Sequence, residues 1–101
     1  MTEEVHLNDI GTKFLVTVNE NGVPLDISGA TVKKIIFKKP DNTVVEKDAA
    51  FESTGGDGQI YYLSVSGDLN ATGIWKLQAF VTLPAGSWHT LISEFKVIAN
   101  L

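Results

Sequence analysis

His6 and His89 are the only histidines in the chain, and with the carboxylates they are all it offers to acid–base or metal chemistry. They lie near opposite ends, and neither has a serine or acid motif beside it, so no nucleophile–base pair can be assembled from sequence. A lone histidine in a strand is ordinarily a surface or part-buried polar group. The stretch GGDGQ (Gly55–Gln59) has the opening of a calcium loop, but the repeated Asp/Asn ligands and the closing glutamate are missing. Turn chemistry accounts for it better, and no helix follows the glycines to hold a phosphate at its N-terminus. The chain has no cysteine, which removes disulfides, Cys-based zinc sites and thiol catalysis together. The sequon at Asn70–Thr72 matters only in a secreted eukaryotic protein, for which nothing else in the sequence argues. The expectation is a protein that is not an enzyme and holds no cofactor or metal.

What remains is recognition, and two groups of residues could serve it. In VKKIIFKK (Val32–Lys39) four of the eight basic residues gather around an apolar centre. Alternation puts Lys33, Ile35, Phe37 and Lys39 on one face of a strand, and Val32, Lys34, Ile36 and Lys38 on the other. Ile35 and Phe37 are the heavier pair and read as core, which leaves Ile36 outward between Lys34 and Lys38. Such lysines can guard a sheet edge against pairing with other chains. Alternatively they rim a docking strip, an apolar centre that meets an acidic partner. Nucleic acid is excluded as a general partner by the net charge of −4 and a pI near 4.9. The second group is aromatic: Trp75, Trp88, Tyr61 and Tyr62 could form a platform for sugar rings. Tyr61 and Tyr62 are adjacent and must point to opposite faces, so one belongs to the core. Trp75 shares a face with Leu77 and Val81, which leaves Trp88, beside a turn, as the candidate for exposure. The partner-binding residues expected from sequence are therefore Lys34, Ile36, Lys38 and Trp88.

The elements that must carry these side chains are strands. A chain of 101 residues with 44% hydrophobic and 20% charged residues fits one domain, 1–101, with one core. Its N-terminus opens on acidic residues without the apolar run of a signal peptide, and no stretch is long and apolar enough for a membrane helix. Folding in a reducing cytoplasm is the expectation. Apolar periodicity is two almost everywhere. TKFLVTVN alternates Phe14, Val16 and Val18 against Lys13, Leu15 and Thr17, and stops at Asn21-Gly22. VKKIIFKK stops at Pro40-Asp41-Asn42, and TVVEKDAAFE continues as its hairpin partner. GGDG precedes QIYYLSVSG, and GDLNATG makes a corner before IWKLQAFVTLP, whose Trp75, Leu77, Ala79, Val81 and Leu83 share a face. A turn at AGS leads to WHTLISEFKVIA, with Leu91, Phe95 and Val97 on one face. Six or seven strands with turns every 8–14 residues predict an all-β fold, an antiparallel β-sandwich. A small closed barrel is the alternative. The corner before Trp75 sharpens the prediction. Immunoglobulin-like domains place a tyrosine at such a corner, two residues before a core cysteine. Trp75 would take the aromatic place and Leu77 the cysteine place, in an immunoglobulin-like sandwich of about seven strands without a disulfide.

Longer stretches carry a family likeness. NDIGTKFLVTVNENGVPLDISGATVKKIIFKKPDNTVVEK, GDGQIYYLSVSGDLNATGIWKLQAFVTLPAGSWHT and EFKV resemble the small immunoglobulin-like structural proteins of tailed bacteriophages. The chain is similar to the N-terminal domain of phage upper baseplate proteins and to stand-alone tail proteins carrying that domain. The elements concerned are DISGAT (Asp26–Thr31), FKKPD (Phe37–Asp41), GDL (Gly67–Leu69), GIWKLQ (Gly73–Gln78), and Phe95 with Val97. Asn42 departs from the pattern, which often has glycine there, and no receptor-binding or coiled-coil segment follows. The resemblance implies no catalytic residue. It implies a virion component of the tail or baseplate, folded in the host cytoplasm, present in several symmetric copies, and contacting other virion proteins but neither nucleic acid nor membrane. A capsid decoration protein and a carbohydrate-binding or adhesion module are the rival expectations.

Overall fold

The computed structural model describes residues 5–90 and 92–100. The described segments, in chain order, are β1 (Val5–His6), β2 (Lys13–Thr17), β3 (Asn19–Glu20), β4 (Val23–Pro24), β5 (Val32–Lys38), β6 (Val44–Asp48), β7 (Ala50–Phe51), β8 (Gln59–Leu63), β9 (Gly73–Leu83), β10 (Gly86–His89) and β11 (Ser93–Ile98). No helix occurs among the described residues. The fold is all-β, as the period-two runs require.

The larger sheet runs β1-β11-β9-β5-β6, with β10 also on β9. The smaller runs β2-β8-β7, and β3 with β4 is a separate hairpin. Side chains from the two sheets meet in one core. Phe14 of β2 lies 5.1 Å, ring centre to ring centre, from Phe37 of β5, and 5.0 Å from Phe95 of β11. Trp75, Leu77, Ala79 and Val81 on β9 are all buried, as is Ile60 on β8. The central strand β9 supplies four buried residues at alternate positions because both its edges are paired and one face is covered.

More segments appear than the sequence predicts, for three local reasons. The hairpin partner of β5 is β6 alone. After Ala49 the same run bends away, and Ala50 and Phe51 pair with β8 in the other sheet. The last run is broken at Thr90, which pairs with Ala79: its amide donates to Ala79 O (3.0 Å), and its hydroxyl accepts from Ala79 N (2.9 Å). Gln78 Nε2 donates to Thr90 O at 2.8 Å and fixes the break from the side chain. The Asn21-Gly22 turn is tight enough for β3 and β4 to pair on their own, with φ of 53° and 80° at its two central residues. Leu91, expected beside Phe95 and Val97, lies outside the described residues.

The turn after β5 closes as expected. Asn42 takes φ 71°, the left-handed region that glycine or asparagine tolerates. Asn42 N donates to Lys39 O, and Thr43 N to the Asp41 carboxylate, each at 2.9 Å. At the corner before β9, Trp75 is buried and its indole Nε1 donates to Ala71 O at 3.0 Å. A large aromatic is thus tied to the backbone four residues upstream.

Candidate functional site

The outer face of the larger sheet brings together part of the strip expected from sequence. Ile35 and Phe37 are buried, and Lys34, Ile36 and Lys38 share the opposite face. Yet β5 is flanked by β9 and β6 along its length, so it is an interior strand. The reading of its lysines as edge guards is therefore overturned, because no open edge exists there to guard.

Register decides the electrostatics of this face. Lys34 stands between Asp48 and Phe80, and its Nζ is 3.6 Å from Glu46 Oε2. Ile36 stands between Glu46 and Gln78. Lys38 stands between Val44 and Lys76, so two like charges are directly opposed across the β5–β9 ladder. Opposed like charges destabilise a pair of strands. Neither lysine has an ion-pair partner among the described residues. Beside them lies a shallow depression of about 200 Å³, lined by Ile36, Lys38, Val44, Lys76, Gln78 and Ile92. Val44 is 57% exposed and Ile92 62%. Lys76 in turn stands opposite Glu94 on β11, so of the three lysines only Lys38 lacks an acidic cross-strand neighbour, and that end of the face is apolar with mixed charge. Lys76, Val44 and Ile92 were not legible as members, since only strand pairing sets them next to Ile36.

Trp88 belongs elsewhere. The β9–β10 hairpin pairs it with Val81, whose side chain is fully buried, so both point inward. Trp88 is half-buried and packs against the core, which corrects the expectation of an exposed sugar platform. The signal was available: if Pro84 and Ala85 form a two-residue turn, Trp88 must face Val81, already assigned to the core face. Of the tyrosines, Tyr62 turns inward toward Phe37, with ring centres 5.9 Å apart. Tyr61 turns outward beneath the Lys13 ammonium, 5.0 Å away. His89 lies against the Phe80 ring at 4.6 Å.

A second feature is a cavity of about 130 Å³ at the corner, between Phe14, Phe37 and Trp75 on one side and Tyr62, Asp68 and Lys47 on the other. Tyr62 donates its phenol proton to Asp68 Oδ2, which also accepts from Val65 N at 2.9 Å. Lys47 Nζ is 3.1 Å from Asp68 Oδ1. Burial pushes the Asp68 carboxyl up, but the Tyr62 and Val65 hydrogen bonds and the Lys47 charge together hold it below the usual carboxylate range. Burial, with the Asp68 hydrogen bond and charge, pushes the Tyr62 phenol up to about 12. A carboxylate engaged by three donors and a phenol that stays protonated make a poor base or nucleophile. Their work is to pin the corner to β8 and β6.

The GGDG loop uses its carboxylate internally. Asp57 accepts from Gln59 N and from Ser53 Oγ, both at 3.1 Å. Among the described residues no group of three His, Cys, Asp or Glu side chains could hold a metal ion. No protein-family model matches the chain, and no curated protein matches it significantly.

Proposed function

We propose that this chain is a non-enzymatic structural protein of a tailed-bacteriophage virion, assembling in the tail or baseplate through the outer face of its larger sheet. The observation that carries the assembly role is the apolar depression of Ile36, exposed Val44 and exposed Ile92, rimmed by Lys38, which no acidic residue opposes across either ladder. An acidic partner with an apolar centre fits such a patch, meeting Lys38 at its rim. The virion assignment rests on the sequence resemblance. The strand order supports the immunoglobulin-like part of the reading. Neighbours β5-β9-β11 correspond to the C-F-G sheet of that fold, and β2-β8-β7 to its B-E-D sheet. The inward Trp88 weighs against a sugar-binding module built on that residue.

The test is incorporation into particles. Mass spectrometry of purified virions, with tails separated from heads, should find the chain in the tail fraction. Recovery only with heads would favour the capsid decoration protein, and recovery in neither would overturn the virion reading. Within tails, Ile36→Asp should abolish incorporation, since a charge at the apolar centre of an interface is left unpaired. Glu46 lies opposite Ile36, so this variant also carries a folding cost. Lys38→Glu with Lys76→Glu is the companion, expected to slow incorporation and to change its salt dependence while leaving the fold intact.

A further inference from the structure

The smaller sheet ends at β2, and its hydrogen-bond phase leaves a usable edge. Register pairs Phe14 with Tyr62 and Val16 with Ile60. Ser64 N donates to Thr12 O and Val18 N to Gly58 O, extending the same ladder at both ends. Antiparallel ladders alternate, so Thr12, Phe14, Val16 and Val18 turn their backbone groups toward β8. Lys13, Leu15 and Thr17 turn theirs away, toward a side where no strand is paired among the described residues. Of the other edges, β6, β1 and β7 are blunted in ways this one is not, while the four-residue β10 is uncharged but shorter. β6 carries Glu46, Lys47 and Asp48, and β1 and β7 are two residues each, whereas β2 has no charge from Phe14 to Thr17.

Beside this edge runs a groove of about 540 Å³ that reaches the broken strand of the larger sheet. Val16 and Leu77 line it from the core side, and Leu15, Thr17, His89 and Thr90 form its rims. Among the described residues no Lys, Arg, Asp or Glu side chain lines it. In the two-sheet fold with this strand order the first strand lies beside the second. Here β1 pairs in parallel with β11 instead.

We propose that the β2 edge and its groove receive an extended, uncharged segment of a partner protein, which joins the smaller sheet as a fourth strand. Backbone groups of Lys13, Leu15 and Thr17 supply the ladder, and alternate small apolar side chains of the segment fill the groove against Val16 and Leu77. An uncharged segment is required because a charge carried into this groove would meet no countercharge. This deepens the assembly reading and rests on it, but its test needs no particles, so failure here and failure of the Ile36 face are separately visible.

The experiment follows backbone amide exchange by NMR in the full chain, with and without a Thr-Val-Thr-Val-Thr peptide, lysine-flanked for solubility, at millimolar concentration. The Leu15 and Thr17 amides should exchange fast in the free chain and slow by about tenfold or more with peptide, while Phe14 and Val16 are slow throughout. Leu15→Pro removes only an outward-facing N–H, which an edge strand tolerates. It should keep the melting temperature and lose the peptide effect. No slowing at Leu15 and Thr17, or peptide binding that survives Leu15→Pro, would overturn the proposal. Protection of both amides in the dilute free chain would also overturn it, because the chain would then cover its own edge. Protection that rises with protein concentration alongside a dimer mass would replace the partner segment with a second copy.

Discussion

Asp68 holds the corner together from three directions, and its protonation state should therefore be visible in the stability of the chain. Its folded pKa is depressed, so the folded chain binds fewer protons there than the unfolded chain. The stability it contributes is complete above the ordinary value of 3.8 and is lost as pH falls through the lower folded value. Chemical denaturation should show a decline below about pH 4 that Asp68→Asn reduces, with the variant costing about 1–3 kcal/mol at neutral pH. Tyr62 acts at the other end of the scale. Its raised pKa gives stability that is complete below the ordinary value of 10.0 and is lost as pH rises through about 12. At the same corner Trp75 is buried against Phe95, and Trp75→Ala should cost about 3–5 kcal/mol. Its exposed neighbour Lys76 should lose no more than about 0.5 kcal/mol on change to alanine. Lys76 has Lys38 opposite it on one side and Glu94 on the other, so the two charge effects offset each other. Thermal melts of the two variants check both.

Turns set the lengths and exits of the strands, and two glycines separate the conformational cost of a side chain from the steric one. Gly22 has φ 80° with open space where a Cβ would stand. Gly58 has φ 74°, and an added Cβ would come within 2.8 Å of both Val18 O and Leu25 O. Gly22→Ala should cost about 1 kcal/mol through backbone strain alone. Gly58→Ala should cost more, on the order of 2–4 kcal/mol, because the loop joining β4 to β5 must move away from β8. Equal losses in denaturant melts would mean that the Gly58 contacts relax freely. Turns and faces were largely legible in sequence. Asn21-Gly22, Pro40–Asn42 and GGDG fall between strands, and the alternating faces of β2, β5 and β9 are those that periodicity marks. The strand that changes sheets at Ala49 and the break at Thr90 were not, because period-two alternation does not record which neighbour a run pairs with.

The described residues have a radius of gyration of 13.8 Å, close to the roughly 13 Å of a compact chain this long. Three aromatic rings from both sheets meet at its centre. Far-UV circular dichroism should accordingly show a β spectrum, and a helical signal above about a fifth of the residues would contradict it. At this scale the Ile36 face is tested by separating folding from assembly. Lys38→Glu with Lys76→Glu should leave the melting temperature within a few degrees, since each replaces an exposed charge. A large loss of stability would make these lysines structural and remove the argument for an acidic partner.

By itself the sequence determined that the fold is all-β, where its main turns fall, and which faces of β2, β5 and β9 turn inward. These follow from side-chain period, β-branched content and the φ preferences of Gly, Asn and Pro, all local properties. Tertiary structure decided that β5 is interior, that Lys38 meets Lys76, that Glu46 faces Ile36, that Trp88 turns inward, and that β2 is left as an edge. The interior place of β5 and the Lys38–Lys76 pairing depend on ladders between segments far apart in the chain, and the Trp88 and Glu46 pairings on hairpin register. Strand period fixes the two faces of a ribbon, but the neighbour on either side is chosen by the packing of the whole core.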